Sequence, residues 1–144
     1  MICRCRLEGA STPSVQVLAD IIPINFRQID STAVSCQDWS ELAETCLKIA
    51  ADPDVGGIVI GHGTASLEET AWAPSLVLKV KKPVVLTGST SRTDSGLVVD
   101  SNQNHRSSII AGSDIGPVKA RILLALCLAR GDSRVEIERQ FTSL

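Results

Sequence analysis

With 144 residues, 44% of them hydrophobic and only 3% aromatic, the chain is the size of one ordinary domain. Such a chain buries roughly two-thirds of the surface its unfolded form exposes. A net charge of -2 with both signs interspersed leaves no basic footprint for nucleic acid, and no run approaches the ~20 apolar residues of a membrane span.

Met1 to Glu8 lacks the apolar core of a signal peptide, so the expectation is a cytoplasmic protein with a small-molecule or protein partner. Cys3, Cys5, Cys36, Cys46 and Cys127 are an odd, scattered set that suits neither a disulfide framework nor paired zinc knuckles. All five are read as free thiols, and no metal or cofactor is expected. There is no tyrosine.

Gln16 to Ile24 reads as a short apolar run ended by a proline, and Phe26 to Ile29 as a second strand-like piece leading into Asp30 and Ser31. From Asp38 the spacing changes. Trp39, Leu42, Ala43, Cys46, Leu47 and Ala50 recur at intervals of three and four, the period of one helix face, with Asp38 as the N-cap and Asp52-Pro53 as the stop. Val55 to Ile60 mixes glycine and β-branched residues without alternation, as a strand covered on both faces does. It runs into the turn Gly61, His62, Gly63, Thr64.

Ser66 followed by Glu69 predicts a capping box and a helix to Leu76–Leu78, kinked or split by Pro74. Pro83 to Thr87 is another apolar strand closing at Gly88. Strand, glycine turn, helix and strand make a βαβ unit, for which a parallel sheet is strongly preferred. Residues 89–106 are polar loop, with Leu97 to Val99 the one candidate edge strand. A long helix starts near Pro117 with an apolar side Val118, Ile122, Leu123, Leu126 and Cys127, and ends at Gly131. Ser133 with Glu136 predicts a second capping box, opening a terminal helix that carries Val135, Ile137 and Phe141.

The turn at Gly61 to Thr64 is the place for chemistry, because ligands of open α/β sheets sit at the carboxyl ends of strands and helix N-terminal amides favour negative charge. A hydroxyl there holds a carboxylate, or attacks a carbonyl if a base is near. The plainer reading is a strand-to-helix turn in which Ser66 caps the helix and Thr64 satisfies backbone groups.

The stretch GGIVIGHGTASLEETAW followed by KKPVVLTGS resembles the bacterial-type asparaginase family, whose usual form is HGTDTLEETAYF and then KPVVLTGAMR. Upstream, QIDSTAVSCQDWSELAE is similar to that family's IDS segment, and downstream IIAGSDIGPVKARILLALCLARGDSRVEIERQF is similar to the end of its C-terminal domain. The resemblance implies an amidohydrolase that converts asparagine to aspartate and ammonia, with glutamine as the other substrate candidate. It implies Thr64 as the second-triad threonine, and Ser31, Thr32, Gly63 and Thr64 as substrate-binding residues, without a cofactor and in a homo-oligomer. His62 is implied to be structural, its ring bonding loop backbone. Arg92 is read as a packing or interface group, His105 as solvated, and Lys119 and Arg121 as solvated or salt-bridged charges.

The sequence departs from the family pattern at several points. Ala65 stands where an aspartate is usual and Gly61 where a threonine is usual. The Gly-Gly-Thr turn of the primary nucleophile has no counterpart before Leu18, its assisting tyrosine is absent, and the second-triad lysine falls in a stretch missing around Gly88 to Arg92. Lys81 and Lys82 precede their strand, so they are expected at its opposite edge from Thr64. These departures set a second expectation beside hydrolysis: a catalytically dead fragment or pseudoenzyme, retaining at most amino-acid binding or oligomerisation. The expected architecture is α/β and flavodoxin-like: a three-layer parallel sheet of about four or five strands with helices on both faces. It forms one asparaginase-like domain over 1–144, in which 18–88 resembles the end of the family's N-terminal domain and 89–144 the end of its C-terminal domain.

Overall fold

The computed structural model describes residues 2–6, 20–88, 109–112 and 115–143. Its central feature is a five-stranded sheet built from β1 (Ile2–Arg6), β2 (Asp20–Ile24), β3 (Val55–His62), β4 (Val84–Gly88) and β5 (Ile109–Ala111), in the order β2-β1-β3-β4-β5. Strands β3, β4 and β5 are parallel, whereas β1 runs antiparallel to both β2 and β3. The expected α/β fold is present. Its parallel part is β3-β4-β5, and the sheet as a whole is mixed.

Successive strand side chains point to opposite faces, so a strand covered on both sides must be apolar throughout. Ile58, Ile60, Val84, Leu86 and Ile109 face one layer, where they pack on Leu42 and Cys46 of α1 (Cys36–Ala51) and Leu67 of α2 (Leu67–Val77). Val59, Val85 and Ile110 face the other. There they meet Ala120, Leu124 and Cys127 of α3 (Pro117–Arg130) and Ile137 and Phe141 of α4 (Arg134–Thr142). Three layers result, and each fully buried Val, Leu, Ile or Phe contributes roughly 1.5–3 kcal/mol.

Several elements differ from the sequence expectation. Strand β1 differs from the expectation, although the alternation of Cys3, Arg4, Cys5 and Arg6 has a strand's period, and Ile2 and Cys5 are buried on opposite faces. The segment Phe26 to Ile29 is not a strand, because the β1–β2 ladder ends at the Ile2–Ile24 pair and leaves it no neighbour. Helix α1 begins two residues before Asp38, which is not its N-cap. Ser35 caps it, and Asp38 closes the box by accepting from the Ser35 N–H at 2.8 Å. Helix α2 is not split at Pro74, whose ring is buried and whose carbonyl accepts the Leu78 N–H at 2.8 Å as the helix closes.

The expected apolar side of α3 is buried only in part: Cys127 is buried and Leu123 packs partly buried on the core, but Val118, Ile122 and Leu126 are 40–56% exposed, and Ala120 and Leu124 are buried in their place. The reason lies in the sheet: a Cβ built on Gly57 of β3 would stand 3.0 Å from Leu124 Cδ2, so this glycine and Ala120 let the helix sit close through its small side. Helix α3 ends as expected at Gly131, which is left-handed at φ 76. The candidate strand Leu97 to Val99, Arg92 and His105 lie outside the described residues. Cys5, Cys46 and Cys127 are buried, Cys36 is exposed, and none of these four forms a disulfide. Among the described residues, no helix is long and apolar enough to cross a membrane.

Candidate functional site

The carboxyl ends of β3 and β4 stand side by side, with His62 in register with Gly88. The chain leaving β3 turns through Gly63 to Ser66 and enters α2. A second loop, the single 3-10 turn Ser31–Ala33 ahead of α1, packs onto it. Gly63 makes the crossing possible: a Cβ there would lie 2.5 Å from Ser31 Cβ and 2.6 Å from its Oγ, which no side chain tolerates. The Ser66 hydroxyl donates to the Ser31 carbonyl, and the Ala65 N–H lies 3.4 Å from Ser31 Oγ.

Ser66 therefore does not close the expected capping box with Glu69. It occupies the N-cap position of α2 without a side-chain bond to that helix, because its hydroxyl is spent on the neighbouring loop. Ser31 and Gly63 are brought into contact, and Thr64 follows Gly63 in the same turn. Thr32, next in sequence, is exposed and donates both its N–H (2.9 Å) and its hydroxyl (2.7 Å) to Asp30 Oδ1. These bonds, the backbone one first, hold the Asp30 carboxyl below the usual aspartate range.

His62 is tied at both ring nitrogens. Nδ1 lies 2.6 Å from the Gly63 carbonyl, and Nε2 lies 3.1 Å from the hydroxyl of Thr70 on α2. Thr70 is itself buried and accepts the indole N–H of Trp39, on α1, at 2.9 Å. As expected, the His62 ring bonds loop backbone. In the sequence Trp39 marks only a helix face, and nothing local singles out Thr70.

Beside the turn is a cavity of about 280 Å³, walled by Ile2, Phe26, Ile29, Val34, Trp39, Leu42 and Ile60 and bordered by Ser31, Gly63, His62 and Thr70. Arg27 and Asp38 also line it. They form an ion pair that extends to Glu41. The Ser35 hydroxyl, 2.5 Å from Asp38, is the main reason that its carboxyl is held below the usual range, with the Ser35 N–H and Arg27 adding to it. The volume suits a small organic molecule rather than a large one. Thr64 and Thr32 do not line it.

Chemically the turn offers hydroxyls and amides, and its imidazole, His62, is bonded at both ring nitrogens. Among the described residues, the Thr64 hydroxyl has no hydrogen-bonding partner. Lys82 bonds the Asp52 carbonyl ahead of β3, at the far edge of the sheet from Thr64 as expected, and Lys81 is next to it in sequence. Lys119 is exposed and Arg121 half-buried on α3. No group of three or more potential metal ligands gathers among the described residues.

Comparison with known proteins gives concordant matches. A family model described as asparaginase, N-terminal, matches residues 7–125. A glutaminase-asparaginase of Pseudomonas aeruginosa is 35% identical over 105 residues, covering 73% of this chain and 29% of that protein. A second glutaminase-asparaginase, from Acinetobacter glutaminasificans, is 35% identical over 103 residues, covering 72% of the chain and 31% of the relative. L-asparaginase 2 of Bacillus subtilis is 32% identical over 104 residues, covering 72% and 28%. The chain thus spans about three-tenths of the length of the curated relatives it matches. No solved structure matches.

Proposed function

Since the chain belongs to the asparaginase family, we propose that it takes part in amide hydrolysis of asparagine or glutamine, with the amino-acid substrate held at the Ser31 and Gly63–Thr64 crossing. Water and asparagine would give aspartate and ammonia. The observation that carries this reading is the packing of Ser31 onto Gly63, which sets two hydroxyls and a helix N-terminus at the carboxyl ends of parallel strands. Thr64 supplies the hydroxyl at the reacting side, and Ser31, Thr32 and Gly63 contact the substrate's carboxylate and ammonium groups. Thr32 would have to exchange its bonds to Asp30 to do so.

A second reading is favoured by the unpartnered Thr64 hydroxyl: amino-acid binding without turnover. A threonine hydroxyl without a positioned base is a weak nucleophile, and loss of one positioned acid or base costs a factor of ~10² to 10⁴. Ammonia release from asparagine and glutamine at high protein concentration separates the two. Activity that Thr64→Ala lowers by about 10² or more supports hydrolysis at this turn. Activity unchanged by Thr64→Ala sinks it. No ammonia, with heat on titration of L-aspartate that Thr64→Ala removes, supports the binding reading.

The exposed stripe Val118, Ile122 and Leu126 with Val135 supports a homo-oligomer, since contiguous exposed apolar surface favours association. The free thiols support a reducing compartment such as the cytoplasm.

A further inference from the structure

We propose that Trp39 and Thr70 are positioning residues for the Gly63–Thr64 peptide, acting through His62. The inference rests on the reading of this turn as the amino-acid site and names what sets its geometry. The direction of the chain is fixed at both ends by chemistry. An indole N–H only donates, and a backbone carbonyl only accepts. His62 Nδ1, 2.6 Å from the Gly63 carbonyl, therefore carries the ring proton, and Nε2 accepts the Thr70 hydroxyl proton at 3.1 Å. The Thr70 oxygen is left to accept from Trp39 at 2.9 Å. Every donor in the series has one acceptor, and the Nδ1–H tautomer is the one that satisfies both the Gly63 carbonyl at one ring nitrogen and the Thr70 hydroxyl at the other.

The consequence reaches the turn through the peptide plane. In a planar trans peptide the carbonyl and the following N–H point to opposite sides. Holding the Gly63 carbonyl toward the imidazole thus turns the Thr64 N–H away from it. Among the described residues, that N–H has no acceptor, so it is a donor left for a ligand. Three elements meet to fix it: α1 through Trp39, α2 through Thr70, and the end of β3 through His62. Thr70 is 1% exposed, so its hydroxyl has no water to replace a lost partner.

The test uses the full chain with His105→Gln as background, so that a single imidazole reports. Ring ¹⁵N resonances, the Thr64 amide resonance and calorimetric titration with L-aspartate are measured for this background, Thr70→Val, Thr70→Ser and Trp39→Phe, each checked for cooperative unfolding. The background is expected to show Nδ1–H. Thr70→Val is expected to leave the proton on Nδ1 but shift the Nε2 resonance as that nitrogen loses its donor, shift the Thr64 amide and weaken aspartate binding about tenfold, as loss of one buried hydrogen bond does. Thr70→Ser should restore all three, and Trp39→Phe should fall between. An unmoved Nε2 resonance and an unmoved Thr64 amide in Thr70→Val overturn the proposal, as does an Nε2–H ring in the background. If Thr70→Val fails to fold, Trp39→Phe carries the same decision through the same two resonances. Absence of aspartate heat in the background would overturn the reading of the site, while the ring and amide resonances still decide the positioning chain.

Discussion

Two helix N-termini in this molecule start from the same local pattern, a serine followed three residues later by a glutamate, and they end differently. At α4, Ser133 and Glu136 form the reciprocal box, with the Ser133 N–H donating to the glutamate at 2.7 Å. At α2, Ser66 makes no bond to its own helix and donates to Ser31 instead. The first serine has only its helix for company. The second faces another loop across a glycine, and a tertiary partner takes its hydroxyl. Where a local signal is overridden, something other than helix formation is being arranged, and here that is the candidate site.

The comparison can be broken at its strongest point. If the box alone held α4, removing its buried anchor would cost no more than removing the cap. Phe141 is fully buried, so Phe141→Ala is expected to cost about 3–5 kcal/mol in urea unfolding, the range of large-to-small core changes. A cost near that of a capping change would show α4 to be a locally held helix.

Gly63→Ala tests the other terminus. The new methyl meets the Ser31 Cβ and Oγ, so a loss of roughly 1–3 kcal/mol is expected, together with loss of the heat of L-aspartate titration. Unchanged stability would mean that the two loops part easily and that the crossing is not a designed contact.

The serines themselves sharpen the contrast. Ser133→Ala should cost about 1 kcal/mol and raise amide exchange at the start of α4. Ser66→Ala should cost about 0.5–1.5 kcal/mol, with faster exchange in the Ser31–Ala33 turn rather than in α2. Faster exchange confined to α2 would return Ser66 to a capping role.

Acid titration gives the smallest effect. Ser133's hydroxyl first, then its N–H, holds the Glu136 carboxyl below the usual glutamate range. A carboxyl whose folded pKa is depressed binds its proton more readily in the unfolded chain. Its contribution is therefore complete above the ordinary carboxylate range, near pH 4–4.5, and is lost as pH falls through the lower folded value. Asp38, held down mainly by Ser35, behaves the same way. Urea midpoints between pH 5 and pH 2 should show less acid dependence in Ser133→Ala than in the parent.

Period and punctuation made much of the fold legible. The three- and four-residue spacing around Leu42, Ala43 and Cys46 marked α1, and Pro117 and Gly131 bounded α3. The capping box at Ser133 was read correctly because its partners are local. Strand β1 escapes a sequence reading because four residues of alternation are a weak signal, and its place beside β3 depends on residues roughly fifty positions away. The face of α3 was misjudged for a related reason. The spacing of Val118, Ile122 and Leu126 suggests one side, but contact with the sheet goes through Ala120 and Leu124 because Gly57 leaves room there. Side-chain size is in the sequence, whereas the shape of the opposing surface is not.

The candidate site divides in the same way. The order of strand, His62-Gly63-Thr64 turn and helix, and its family, could be read from the sequence, since a β-branched run, a glycine turn and a helical repeat each have a local physical cause. The seating of Ser31 on Gly63, the diversion of Ser66 and the series from Trp39 through Thr70 to His62 were decided by tertiary structure alone. Each joins groups on separate elements, and a hydrogen bond of about 3 Å has no signature in the chain until packing brings its two ends together.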